Sequence, residues 1–294
     1  MRRMKGMRRQ RRLTGRFARV DGIPFELPVN SIDNSAFMAA FTIDARAARA
    51  LMPGNEIHPL RISPRRGLLV ITVVDYRRTD IGRYIEFSIA IACTHGRRPA
   101  PPLLPGLFGK VYGTGQLVVD LPVSTEISVK GGKGIWGMPK HQANLDYVVT
   151  DEVVSSQYDL DGMLAMRVDV DRLHGWGLPL NLGAVNYCTF RGLLMKSYIY
   201  FKGRAHVGLG SRARARIVLG EHPRMDPLRD LDLREKPLFT AFLPKINGFL
   251  DDYFEGWMIT RLHPPQTDDE GLESVTDLGL GEEWLEPPNR VERP

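Results

Sequence analysis

Apolar residues fall mostly into short runs of strand character. GLLVITVVDYR (67–77), GRYIEFSIAIACT (82–94) and QLVVDLPV (116–123) are rich in β-branched and aromatic residues and bounded by turn formers, which predicts strands. In residues 152–171, Leu164, Met166, Val168 and Val170 alternate with Ala165, Arg167, Asp169 and Asp171, after an Asp161-Gly162 pair suited to a positive-φ turn. That pattern predicts a hairpin with one solvated face. Helical signals are fewer. Asp44 can cap ARAARALM, which Pro53 and Gly54 stop, and residues 239–254 carry apolar positions near helical spacing. The chain therefore reads as a strand-dominated α+β domain over residues 21–262, a curved or closed sheet with helices packed outside, with no repeat or linker to divide it.

Composition adds limits. The chain of 294 residues, 43% hydrophobic, can bury one large core, and its longest apolar runs fall short of the roughly 20 residues of a spanning helix, so no membrane span is expected. Two cysteines, Cys93 and Cys188, show no metal or disulfide spacing, which fits a reducing cytoplasm. The net charge of +6 is a tail effect: residues 1–20 hold nine Lys and Arg and no acid, leaving 31 basic against 34 acidic residues elsewhere. This basic tail reads as a disordered leader rather than an arm for nucleic acid or a membrane surface, although its composition also suits an organellar transit peptide. Residues 263–294 are acidic and proline-rich, with too few regularly spaced apolar positions to pack, and are expected to lie loose.

Most chemical motifs fall away. There is no GxxxxGK[ST], HExxH or GxSxG, and the GxGxxA match at Gly208, Gly210 and Ala213 lacks the alternating βαβ units of a dinucleotide fold. Arg212, Arg214 and Arg216 are spaced for one solvated strand face, without interleaved aromatics for base stacking. No metal, cofactor or specific nucleic-acid partner is expected.

Lys140 remains, in GGKGIWGMPKHQANLDY (131–147). Pro139 biases Met138 toward an extended conformation, and Gly132, Gly134 and Gly137 permit close backbone approach. With Ile135, Trp136 and Met138 as apolar neighbours, a pocket here would desolvate the amine and free it for attack on a carbonyl.

This segment resembles the active-site stretch of acetoacetate decarboxylases, and Lys140 falls on the position of that family's Schiff-base lysine. IGRYIEFSIAI is similar to the family segment carrying an assisting glutamate, which puts Glu86 in that role. GEHPRMDPLRDLDLREKPLFTAF and DARAARALMPG also resemble family stretches, so the likeness extends over about 33–254. It implies a cone-shaped double β-barrel with peripheral helices, a homo-oligomer, and decarboxylation of acetoacetate or a related β-keto acid through an iminium on Lys140. Trp136 and Met138 would wall the substrate pocket beside His141.

Two departures bear on the substrate. His141 stands where the decarboxylases carry a second lysine, and SIDNSAFMAAF places Asn34 or Ser35 where the family has a carboxylate-binding arginine. Arg83, Arg97 and Arg98 are the candidate replacements, the last two on a proline-rich insertion (94–115) that could form a lid. An aldol-type condensation, dehydration or hydration of keto acids on the same lysine is a second reading, and a ligand-binding scaffold a third. Against the scaffold stands Glu86 between Ile85 and Phe87, a carboxylate costly to bury without a partner.

Overall fold

The computed structural model describes residues 15–190, 192–260 and 278–290. Its strands are β1 (Arg16–Val20), β2 (Ile23–Leu27), β3 (Val29–Asp44), β4 (Ile57–Pro59), β5 (Arg66–Tyr76), β6 (Arg78–Thr79), β7 (Tyr84–His95), β8 (Gly115–Val123) and β9 (Lys140–Gln142). There follow β10 (Asn144–Leu145), β11 (Val148–Val149), β12 (Val153–Leu160), β13 (Met163–Asp171), β14 (Leu178–Phe190), β15 (Leu193–Leu209), β16 (Ala215–Leu219) and β17 (Pro237–Met258). The helices are α1 (Ala45–Ala50), α2 (Leu104–Leu107), α3 (Glu126–Trp136) and α4 (Asp226–Arg229).

The large sheet runs β7-β5-β3-β17-β15-β14-β8, and β8 pairs back onto β7, closing a barrel of seven strands. The short β4, β6 and β9 lie off this ring, β9 adding parallel to β8. A second sheet, β10-β12-β13-β16 with β11, packs against the barrel's outside. Between them lies the main core, where Phe37, Ile71 and Phe87 of the barrel meet Val154, Tyr158 and Met166 of the second sheet. Strands β5 and β7 are thus buried on both faces, one toward the barrel interior and one toward this core, which is why they read as nearly unbroken apolar runs.

Several expected elements appear where the pattern put them. Asp44 caps α1 by accepting from the amides of Arg46 at 2.8 Å and Ala47 at 2.9 Å. Asp161 (φ 51°) and Gly162 (φ 76°) make the turn between β12 and β13, with Leu160 paired to Met163. No described helix is long and apolar enough to cross a membrane.

Four expectations are corrected. The apolar spacing over 239–254 belongs to strand, not helix: β17 pairs with β3 and β15, and register shifts at Leu243/Ile246 and Ile246/Gly248 insert residues that break the two-residue alternation. The solvated face expected on the β12–β13 hairpin is covered. Arg167 and Asp169 are both buried and pair at 3.1 Å. The cover comes largely from residues 278–290, expected to be loose, whose backbone accepts hydrogen bonds from Gln142, Asn144 and Gln157, while Arg290 holds Asp146 at 2.7 Å. The two errors have one cause, since a segment without apolar periodicity can still dock through backbone carbonyls on polar side chains. Arg16–Val20, assigned to the basic tail, form β1, and residues 1–14, 263–277 and 291–294 of the two expected tails lie outside the described residues.

Candidate active site

Helix α3 and the turn after it build the floor of the site. Three glycines in an 11-residue helix cost helical propensity, but each stands where another element approaches closely. A Cβ on Gly131 would lie 3.2 Å from the Phe25 ring and one on Gly134 would strike Val20. At Gly132 a Cβ would lie 2.7 Å from Lys140 Cε and nearer still to Cδ, so the lysine side chain lies directly across the helix backbone. Gly137 ends α3 in the left-handed conformation at φ 65°. The chain then enters β9, where pairing of Lys140 with Leu121 turns the lysine into the barrel.

The Lys140 side chain is 4% exposed. Its Nζ lies 2.7 Å from Glu86 Oε2, donates to Ser128 Oγ at 2.9 Å, and stands 5.2 Å from the centre of the Tyr84 ring. The Tyr76 phenol lies beside Glu86 and the Tyr84 phenol beside Ser128. The two phenol rings stack at 4.6 Å. Burial, reinforced by the charge of Glu86, pushes both phenols well above their ordinary range, so they remain neutral hydrogen-bonding groups. Burial likewise pushes the nearby Cys188 thiol up to about 12, against the opposing pull of Lys140.

This cluster faces a cavity of about 140 Å³ inside the barrel. Trp136 and Met138 wall it, the Trp136 indole fixed by donation to the Asp251 carbonyl at 3.0 Å. Among the described residues, Lys140 and Glu86 are the only charged side chains in the lining.

The other candidates lie elsewhere. Pairing of His141 with Pro122 turns it to the opposite face of β9, into the core beside the second sheet, where Nε2 lies 3.3 Å from Asp120 Oδ1 and 3.2 Å from the Tyr158 hydroxyl. Burial first, then the positive charge of Arg224, lowers its pKa to about 3. The neighbouring carboxylate would favour imidazolium, but that form also needs an acceptor for Nδ1, which is buried without a partner, so the neutral ring prevails. Arg83 is exposed, reaching Asp75 at 3.4 Å and lying over the Trp284 ring at 5.2 Å. Arg97 and Arg98 are exposed on the loop beyond the far end of β7. Nine steps of strand separate Glu86 from His95 at the end of β7, about 30 Å, and Arg97 lies two residues further on. None of these four side chains lines the cavity. Asn34 is fully buried, its amide donating to Ser31 Oγ at 2.9 Å while Oδ1 has no partner, and Ser35 bonds the Tyr147 hydroxyl at 2.9 Å. Ser128, Tyr76 and Tyr84 were not singled out from the sequence. Their signal would have been the parity of β5 and β7, which puts Tyr76, Tyr84 and Glu86 on one barrel face.

A seven-stranded barrel with a buried lysine–glutamate pair in its interior defines a class that comparison identifies. The sequence model of the family Acetoacetate decarboxylase (ADC) matches residues 18–176, more than half of the chain, and the protein belongs to that family. No curated protein matches its sequence. Among solved structures, acetoacetate decarboxylase from Legionella pneumophila superposes with a TM-score of 0.57 at 13% identity, over 78% of this chain and 87% of that one. Another acetoacetate decarboxylase gives 0.56 at 17% identity, over 79% and 89%. The enduracididine biosynthesis enzyme MppR, complexed with the condensation product of pyruvate and imidazole 4-carboxaldehyde, gives 0.53 at 12%, over 78% and 88%. At these identities the likeness is one of fold.

Proposed function

We propose that the protein is a Schiff-base lyase acting on a β-keto acid, with Lys140 as nucleophile and Glu86 as the proton-handling group. The observation that carries this reading is the 2.7 Å contact between Lys140 Nζ and Glu86 Oε2 at an apolar cavity. In acetoacetate decarboxylase the lysine is activated by desolvation or a cationic neighbour. Here the neighbouring His141 points away, which leaves burial and the Glu86 carboxylate to set the amine's reactivity.

The chemistry follows from the contacts. Glu86 accepts a proton from the ammonium, and the neutral amine adds to the ketone carbon. Water leaves and an iminium forms. The bond between the α-carbon and the carboxylate breaks, its electron pair moves into the iminium to give an enamine, and carbon dioxide departs. Apolar walls favour this step because charge is spread as the carboxylate is lost. Glu86 gives its first proton to the departing water, takes another from solvent, and is placed to deliver that one to the α-carbon, with the Tyr76 phenol beside it. Water then hydrolyses the iminium and frees ketone and amine. Ser128 fixes the amine between steps.

A second reading uses the same enamine to attack an aldehyde in an aldol-type condensation. It is favoured by the absence, among the described lining residues, of a guanidinium to hold a substrate carboxylate. A non-catalytic scaffold is disfavoured by Glu86, whose inward carboxylate meets the lysine. Assembly as a homo-oligomer is part of the proposal.

Borohydride reduction in the presence of acetoacetate, followed by peptide mass spectrometry, should place one adduct on Lys140 and none in Lys140→Ala. Carbon dioxide release then separates decarboxylation from condensation. No adduct on folded protein with any keto acid or ketone would overturn the nucleophile assignment.

A further inference from the structure

The cavity wall away from Lys140 also constrains the substrate. The lining extends from Lys140 and Glu86 to Gln116 and Asn186. Gln116 pairs with Ala92, six residues along β7 from Glu86, or about 20 Å of strand. Between these ends the wall is made by side chains such as Met38, Val74, Val118, Leu182, Phe201 and Leu243. Its polar groups carry no charge. Gln116 donates to Asn186 at 2.8 Å, so the amides at that end bond each other, and the Thr72 hydroxyl is buried without a partner.

One feature of a small polar acid's site is missing from the described lining: a second cation beside Lys140. A chain of methylenes would find what this wall offers. The volume of about 140 Å³ is on the order of the ~150 Å³ that holds a six-carbon ring, and the separation of the two ends favours an extended shape.

We propose that the physiological substrate is a ketone or β-keto acid bearing an extended apolar tail of about six carbons, laid along the barrel axis from Lys140 toward Gln116. This rests on the Schiff-base reading for its carbonyl end only. Each buried methylene should contribute about a fourfold gain in affinity until the space is filled. From acetone to 2-octanone the gain should therefore exceed 100-fold even after the cost of ordering the tail.

The test uses full-length protein and a series of methyl ketones from acetone to 2-undecanone, trapped on Lys140 with borohydride to obtain half-saturating concentrations. Calorimetric titration with 1-octanol, which has no carbonyl, is run in parallel. The expected result is a steady fall in half-saturation to about 2-octanone and a plateau or reversal beyond it. A flat series, or an optimum at acetone with clean Lys140 adducts, overturns the tail pocket and leaves the Schiff-base reading standing. Octanol binding without any ketone adduct does the reverse. Ala184, on β14, also lines the cavity; Ala184→Leu, which narrows it, should move the optimum to shorter ketones, and Phe201→Ala, which widens it, to longer ones. Circular dichroism of each variant identifies a folding failure, and an optimum unmoved in both folded variants counts against the proposal.

Discussion

The lysine–glutamate contact makes a claim about energy that a double-mutant cycle can measure. Nζ and Oε2 lie 2.7 Å apart, with the lysine side chain 4% and the glutamate 15% exposed. At an effective dielectric of 20 the gross attraction is about 6 kcal/mol. Desolvation consumes much of this, so the pair need not stabilise the fold relative to apolar residues of the same shape. Removing one partner differs, because it leaves the other buried and uncompensated at a cost of about 3 to 5 kcal/mol. Glu86→Gln should therefore lose about 3 kcal/mol, and Lys140→Met a similar amount. The double variant should lose less than the sum by about 2 kcal/mol. In a domain of this size 1 kcal/mol moves Tm by roughly 2 to 4 °C, so each single variant should melt about 6 to 12 °C lower. Calorimetry or denaturant titration of the four proteins supplies the cycle. Strict additivity would show that the two charges do not share one dry environment, and the proton exchange assigned to them would lose its basis.

Other predictions follow from single contacts. Gly132→Ala should slow adduct formation at Lys140 by tenfold or more with a Tm change of a few degrees, because the intruding Cβ meets flexible methylenes that move and carry the amine off Glu86; trapping kinetics beside a melting curve would check this, and an unaltered rate would mean the amine's position is immaterial. His141 should make the fold sensitive to mild acid. Its pKa falls from 6.5 to about 3 on folding, so between these values the unfolded chain binds the extra proton and stability drains as pH falls, by about 2 kcal/mol at pH 5. His58 and His95, also depressed by burial, act with the same sign, so the readout is the shallower pH slope of His141→Gln relative to the parent. Cys188, with its thiol pushed up to about 12, should resist iodoacetamide at pH 8 in the native protein and react in denaturant; rapid native labelling would mean the barrel wall opens.

Legibility in the sequence followed burial. Strands buried on both faces, β5 and β7, declared themselves as apolar runs, and the β12–β13 hairpin by its Asp-Gly turn. β17 did not, because bulges that bend it around the barrel blurred its period. Helix α3 was hidden by its glycines, which mark close packing here rather than a loop. At the site, Lys140 and Glu86 come together from positions 54 residues apart, linked in the sequence only through family likeness. Composition drew attention to Arg97 and Arg98 but could not place them, since charge in a loop carries no information on which end of a barrel it serves. Ser128 looked ordinary until α3 turned it toward the amine.

The placement of Lys140 on β9 has a consequence for how this family can change. β9 is a three-residue strand lying off the closed ring, with Lys140 facing the cavity and His141 the opposite core. Because strand side chains alternate, a one-residue slip against β8 would carry the amine out of the barrel and put His141 or, in the other direction, Pro139 in its place. Inserting or deleting a single residue between Gly137 and Ala143 is thus a switch of chemical identity that leaves the barrel's own strands untouched. The nucleophile is held by registration, and the left-handed Gly137 and rigid Pro139 ahead of it serve as the indexing pins.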